Sequence, residues 1–255
     1  TGGSKGIGRS IAMKFAENNF DIYTCSRNEK ELIELKSDIS SINSDVKVNT
    51  LKCDLSTKEG SLKFIEFVKD DTNKIEVLVN NVGTFVPGKL IEEEDSALEN
   101  MININLYSNY WITKGLVSIM IQKKQGHIFN MCSIASKVAY ANGGSYCISK
   151  FALYGMSQCL REELKDYNIK VTSVLPGAVR TGSWDGTLLP DERFIKPDDV
   201  SSSIYSSYKT SKGATIDDYE KIKFKDKDGK TKEMSAWVAM KQKDGSPAKL
   251  AYQKE

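Results

Sequence analysis

Short apolar runs alternate along the chain with longer stretches in which apolar positions recur every three or four residues. The runs at 20–26, 47–54, 75–81, 127–133 and 170–176 are rich in Val and Ile and apolar at consecutive positions. Strands buried on both faces of a parallel sheet read this way. Between them, Ile7, Ile11, Ala12, Phe15 and Ala16 form one stripe at helical spacing. Further helical patterns cover 29–40, 60–70, 95–123 and 146–167, and Pro197 opens another. Repeated β-α units of this kind predict an α/β fold, a doubly wound parallel sheet with right-handed crossovers.

Both ends depart from that pattern. A glycine-rich turn such as the one at 1–8 needs a preceding strand to aim it and to occupy the sheet's centre. Thr1 begins the turn itself, so the first strand is expected to be missing and the chain to be an N-terminally truncated fragment. A last sheet strand is expected near 214–218. Beyond it, Lys221, Lys223, Lys225, Lys227, Lys230 and Lys232 surround the turn signal Asp228-Gly229, and Asp244-Gly245 follows. Residues 1–218 therefore read as one domain, and 219–255 as charged hairpins or a tail.

Composition narrows the class. Hydrophobic residues make up 40% of 255 positions, enough for a sizeable core, and a net charge of +2 gives no reason to expect nucleic acid. No apolar run reaches the roughly 18–20 residues that cross a bilayer, and no basic-then-apolar leader opens the chain, which makes a soluble cytoplasmic protein the default. Five cysteines without a C-x-x-C pair argue against a disulfide framework or a zinc site. The single histidine, His127, opens an apolar run and reads as a strand-edge residue. No metal is expected.

The chemistry-bearing residues fall at the ends of these elements. In Thr1-Gly2-Gly3-Ser4-Lys5-Gly6-Ile7-Gly8 the glycines let the backbone approach a pyrophosphate, the following helix offers free N–H groups, and Ser4 adds a hydroxyl. The run 20–26 ends at Ser26-Arg27 with no carboxylate to meet a ribose diol. Arg27, with Lys5, favours a 2′-phosphate and hence NADP over NAD; the alternative is a solvated turn residue. Asp54 is placed either to accept from adenine or to cap the next helix. Tyr146 and Lys150, four apart, share a helix face, and a nearby ammonium would lower the phenol's pKa toward its working range. Ser133 is expected at the end of its strand, able to polarise a carbonyl. Asn105 lies in an apolar helix and needs a partner, for which a water that leads to Lys150 is one candidate. Asn80 closes another strand.

Taken together, TGGSKGIG at 1–8, CDL at 53–55, NNVG at 80–83, Asn105, Ser133, Tyr146 with Lys150 and LPGAVRT at 175–181 resemble the short-chain dehydrogenase/reductase family in its single-domain branch. The resemblance implies a Rossmann-like, three-layer α/β/α fold and a tetrad of Asn105, Ser133, Tyr146 and Lys150. It implies cofactor contacts from Gly2, Ser4, Lys5, Gly6, Ile7, Gly8, Ser26, Arg27, Asp54, Leu55, Asn80, Val82, Gly83, Tyr146 and Lys150, and from Pro176, Gly177, Val179 and Thr181 beside the nicotinamide. The expected activity is reversible reduction of a small-molecule carbonyl, such as a 3-oxoacyl thioester or small ketone, with NADP(H), by a homodimer or homotetramer. The alternatives are an NADP-binding sensor without turnover and, for the basic tail, a nucleic-acid binder.

Overall fold

The computed structural model describes residues 1–184, 186, 190–210, 215–217, 220–225, 231–236 and 239–241. They fall into two compact units, Thr1–Tyr208 and Lys209–Glu255.

In the first unit the strands are β1 (Ile22–Ser26), β2 (Val48–Lys52), β3 (Val77–Asn80), β4 (Gly126–Met131) and β5 (Ile169–Val174). The helices are α1 (Gly6–Ala16), α2 (Glu29–Ile42), α3 (Lys58–Asp71), α4 (Ala97–Ile102), α5 (Ser108–Lys123), α6 (Gly144–Leu164) and α7 (Pro197–Lys209). All strand pairing is parallel, β1 with β2 and β3–β4–β5 in that order. One apolar cluster packs α1, α2 and α7 through Phe15, Leu35 and Ile204 against Phe129. Another packs α3 and α5 through Phe64, Ile112 and Met120 against Ile128. Two helical layers thus sandwich the sheet, the Rossmann-like α/β arrangement expected.

Local chemistry sets the element ends. Asn28 caps α2 by accepting from Lys30 N at 3.0 Å, and Thr57 caps α3 by accepting from Gly60 N at 3.0 Å. The long helix expected over 95–123 is not uniform. Between α4 and α5 the backbone widens into a π-helical turn, Asn103–Tyr107, the kind of local expansion that recurs at functional sites.

Among the described residues no strand bonds to the free edges of β1 and β3. A cavity of about 590 Å³ lies there, walled by Ile11, Phe15 and Ile22 and by Phe64, Val77 and Leu116. Thr1 closes one end, its amino group donating to Val79 O at 2.8 Å.

Two expectations are corrected. His127 is not at a sheet edge: β4 is the middle strand of its sheet, and His127 is buried, stacked on Phe129 and bonded through Nε2 to Thr172 Oγ1 at 2.8 Å. Burial holds its pKa down at about 2, so it stays neutral. The strand expected near 214–218 is described only at Thr215–Asp217, where the pairing is antiparallel rather than parallel. Thr215–Asp217 pairs antiparallel with Ala239–Lys241 in the second unit, where Glu220–Lys225 and Thr231–Ala236 form a further antiparallel pair.

Candidate active site

α6 carries the phenol and the amine. Tyr146 and Lys150 sit one helical turn apart, with Lys150 Nζ 5.8 Å from the Tyr146 ring centre. The ammonium is buried and donates to Met131 O, at the end of β4, at 2.8 Å. Burial without a counter-charge draws the Lys150 pKa down to about 8. Burial also raises the Tyr146 pKa to about 12, and a hydrogen bond with Ser133 opposes that rise. The expected lowering of the phenol by Lys150 is therefore not found. The amine donates to a backbone carbonyl, and burial dominates the shift of the phenol.

Ser133 lies two residues beyond β4 rather than at its end. It caps the short 3₁₀ turn Ile134–Ser136, its Oγ accepting from Ala135 N at 3.2 Å. The cap holds the hydroxyl beside Tyr146, so the structural and chemical readings of this serine are compatible. Asn105 sits in the π turn, where its Oδ1 accepts from Thr84 N at 2.8 Å and its Nδ2 donates to Thr84 O at 3.0 Å and Ser149 Oγ at 2.9 Å. Its carbonyl accepts from Asn109 Nδ2 at 2.7 Å. Gly83 joins the two sides: a Cβ there would stand 3.0 Å from Asn105 Oδ1 and 3.5 Å from Lys150 Nζ. The four tetrad positions converge on one crevice.

Its cofactor side is built by the glycine-rich turn. Lys5, at the N-cap of α1, makes no side-chain cap, which leaves the first N–H groups of the helix available to an anion. Gly2 and Gly6 have φ of 64° and 54°, and a Cβ on Gly8 would fall 2.1 Å from Gly2 O, so the turn needs glycine at these positions. These groups fit a pyrophosphate. Thr181 faces Gly6 across the crevice, its Cγ2 3.2 Å from where a Cβ would be. Arg27 is exposed, and no described residue pairs with it. Gly177 and Pro176 are half-buried, and Pro176 O accepts from Ile134 N at 3.3 Å.

Other positions are turned elsewhere. Asn80 is fully buried and donates to Thr113 Oγ1 at 2.7 Å and Asn130 Oδ1 at 2.8 Å, so its side chain braces β3 against α5 and β4. Leu55 and Val179 point into the core. Val82 is half-buried, its N donating to Thr1 Oγ1 at 3.0 Å. Ile7 packs against the core with its side chain, leaving only its backbone to the turn. Asp54 Oδ1 accepts from Ser56 N at 2.9 Å, a local turn contact, while the cap of α3 falls to Thr57.

Further residues shape this region. Phe85 packs edge-on to Tyr146 at 4.8 Å between ring centres, and Trp184 lies 6.1 Å from Phe85 and 5.3 Å from Phe194. Glu93, one acid in the run Glu92–Asp95, holds the first turn of α6. It accepts from Ser145 N at 3.0 Å and from Ser145 Oγ, next to Tyr146. Phe85, two residues after NNVG, and Trp184, three residues after LPGAVRT, lie close to motifs, whereas Glu93 does not. Among the described residues no three metal-ligating side chains converge, and no helix is long and apolar enough to cross a membrane.

A parallel α/β sheet, a glycine-rich turn opening a helix, and a phenol and amine one turn apart beside a serine hydroxyl define a dinucleotide-dependent type of oxidoreductase site. Comparisons agree with that class. The short chain dehydrogenase family model matches residues 1–188. A diacetyl reductase [(S)-acetoin forming] of Staphylococcus epidermidis is 29% identical over 200 residues, covering 78% of this chain and 76% of that protein. A metagenomic short-chain oxidoreductase solved in complex with NADP superposes with a TM-score of 0.71 at 27% identity, over 83% of this chain and 89% of its own. A β-ketoacyl-[ACP] reductase of Bacteroides thetaiotaomicron gives 0.71 at 29% identity, over 83% and 90%. The chain belongs to the short-chain dehydrogenase/reductase family, as an oxidoreductase of that type.

Proposed function

We propose that this protein reduces an apolar-flanked carbonyl to an alcohol, reversibly, with NADPH. The observation that carries the reading is the neutral, half-buried Tyr146 phenol beside Ser133, with Lys150 one turn away. When bound, the dinucleotide supplies a hydride to the carbonyl carbon. Tyr146 then donates its proton to the developing alkoxide, and Ser133 holds that oxygen by hydrogen bond. A phenol protonated throughout the neutral range suits the reducing direction. Lys150, neighbouring Gly83 and Asn105, holds the nicotinamide ribose. Asn105 positions the strand end that carries Gly83. Phe85 and Trp184 supply the apolar flank and exclude water from the reacting atoms.

The NADP preference rests on Arg27, exposed and unengaged by any described acid, and on Lys5, which the NADP complex of the metagenomic relative supports by analogy. A small ketone or 3-oxoacyl thioester is the proposed substrate class, in line with the diacetyl and β-ketoacyl reductases among the relatives. Exposed Tyr107, Tyr110, Ile148 and Phe151, on the π turn, α5 and α6, offer apolar surface for a homodimer or homotetramer, and a cytoplasmic location completes the proposal. The test is NADPH oxidation across a panel of diketones, 3-oxoacyl thioesters and aryl ketones, with NADH in parallel. Turnover with NADPH preferred is the expected result. Tight NADPH binding without turnover on any carbonyl would favour the sensor reading instead.

A further inference from the structure

Between the phosphate turn and the end of β1, one carboxylate gathers the donors that surround the adenosine end of the proposed cofactor site. Glu31, in the first turn of α2, accepts from Ser4 Oγ at 2.6 Å, from Asn28 Nδ2 at 3.2 Å and from Ser26 Oγ at 3.5 Å, and Lys5 Nζ lies 3.9 Å away. These donors come from two separate segments, the turn at 1–8 and the β1–α2 connection. The Glu31 side chain is only 24% exposed, so the carboxylate sits within the cluster. Ser4 itself is buried, which leaves its hydroxyl few other acceptors. Arg27 stands in the same connection, between Ser26 and Asn28, yet does not pair with Glu31. The hydrogen bond from Ser4, above all, keeps the Glu31 carboxyl below its ordinary range, so it is an anion at neutral pH.

We propose that Glu31 is an internal competitor for the phosphorylated end of the cofactor: its carboxylate holds Ser4, Ser26, Asn28 and Lys5 by the contacts a 2′-phosphate would take, and so sets how strongly the site distinguishes NADPH from NADH. This rests on the NADP reading above. Hydroxyl, amide and ammonium donors satisfy one anion at a time, and a second anion brought among them meets like-charge repulsion. A 2′-phosphate must therefore displace Glu31 from Ser4 and Lys5, or bind against its charge. A plain ribose diol, being neutral, meets no such opposition and can donate to the carboxylate. Glu31 thus weakens binding of the phosphorylated dinucleotide selectively, while Arg27 strengthens it.

The experiment compares wild type, Glu31→Gln and Arg27→Ala by calorimetric titration with 2′,5′-ADP and with 5′-AMP, which isolate the adenosine end from catalysis. Gln keeps an oxygen acceptor for Ser4 and removes the charge. Glu31→Gln is expected to bind 2′,5′-ADP about tenfold more tightly, with 5′-AMP changed by less than about twofold, and the gain should shrink as salt rises. Unchanged or weaker 2′,5′-ADP binding by Glu31→Gln would overturn the proposal, as would an equal gain for both ligands. If wild type prefers 2′,5′-ADP and Arg27→Ala loses that preference while Glu31→Gln leaves it as it was, Glu31 alone is misassigned. If wild type shows no preference between the two nucleotides, the cofactor reading falls and this inference with it. Thermal midpoints of the variants matching wild type establish that each comparison is between folded proteins.

Discussion

On the β4–α6 side of the crevice, Asn80, Asn105, Asn130, Ser149 and Lys150 are buried and bonded to one another or to backbone. On the β1–α2 side, Lys5, Arg27 and Asn28 lie exposed, gathered loosely around a partly exposed Glu31. The proton-transfer region is thus arranged by folding itself, because buried donors and acceptors left unpaired are costly and admit few geometries. The nucleotide-recognition region is cheap to rearrange, because water can replace any one of its contacts. Rigidity is concentrated where reacting atoms must meet, and adjustability where charge decides which cofactor fits.

The comparison breaks most sharply at Tyr146. Tyr146→Phe removes the proton donor from an otherwise intact crevice, and carbonyl reduction should fall by about 10²–10⁴-fold while NADPH affinity stays within a few-fold, as steady-state rates and a binding titration would show. Retained turnover would move the proton donor elsewhere. In the buried network, Asn130 links Asn80 to Ser157 Oγ, the latter at 2.8 Å. Asn130→Ala strands both partners, and denaturant unfolding should register a loss of about 2–4 kcal/mol.

Lys150 sharpens the contrast through pH. Its folded pKa, about 8, lies below its unfolded value, so between the two the unfolded chain binds more protons. The cost of burying the ammonium is therefore felt in full below pH about 8 and is relieved as pH rises above it. Lys150→Met should be the more stable protein at neutral pH, with its advantage shrinking by roughly 1 kcal/mol per pH unit toward pH about 10. A pH-independent difference between the two unfolding curves would mean the amine is not buried as a cation.

On the open side, effects are smaller. Arg27→Ala should raise the NADPH dissociation constant about tenfold and leave that for NADH nearly unchanged, a loss typical of one charge-assisted contact. Least of all, Glu93→Ala removes the acceptor for Ser145 N and frays the start of α6. About 1 kcal/mol of stability should be lost, with kcat reduced more than cofactor affinity. An equal effect on both would mean that Glu93 serves the whole fold rather than the turn bearing Tyr146.

Much of this was legible along the chain. Helices α2, α3 and α6 begin and end within two or three residues of their expected limits, because caps such as Asn28 and Thr57 and the apolar periodicity are local signals. The π turn was not legible: a one-residue widening of a helix leaves the apolar pattern almost unchanged. Nor was the inward turn of Asn80, since an amide closing a strand reads identically whether it meets a ligand or Asn130. Glu93 and Glu31 were hidden among neighbouring acids, and only the chain's return path makes each a partner of a residue 52 or 27 positions away.

What the linear order of residues determined is the kind of molecule this is. Alternating apolar runs and helical stripes specify a parallel sheet between helices, and motifs at strand ends specify chemistry, because both depend on neighbours a few positions apart. Tertiary structure alone decided the electrostatics. Whether Lys150 steadies a phenolate or pays for its own desolvation, and whether an acid stands among the phosphate donors, depends on burial and on distances across the fold. Those quantities come into being only when distant segments are packed together and water is expelled from between them.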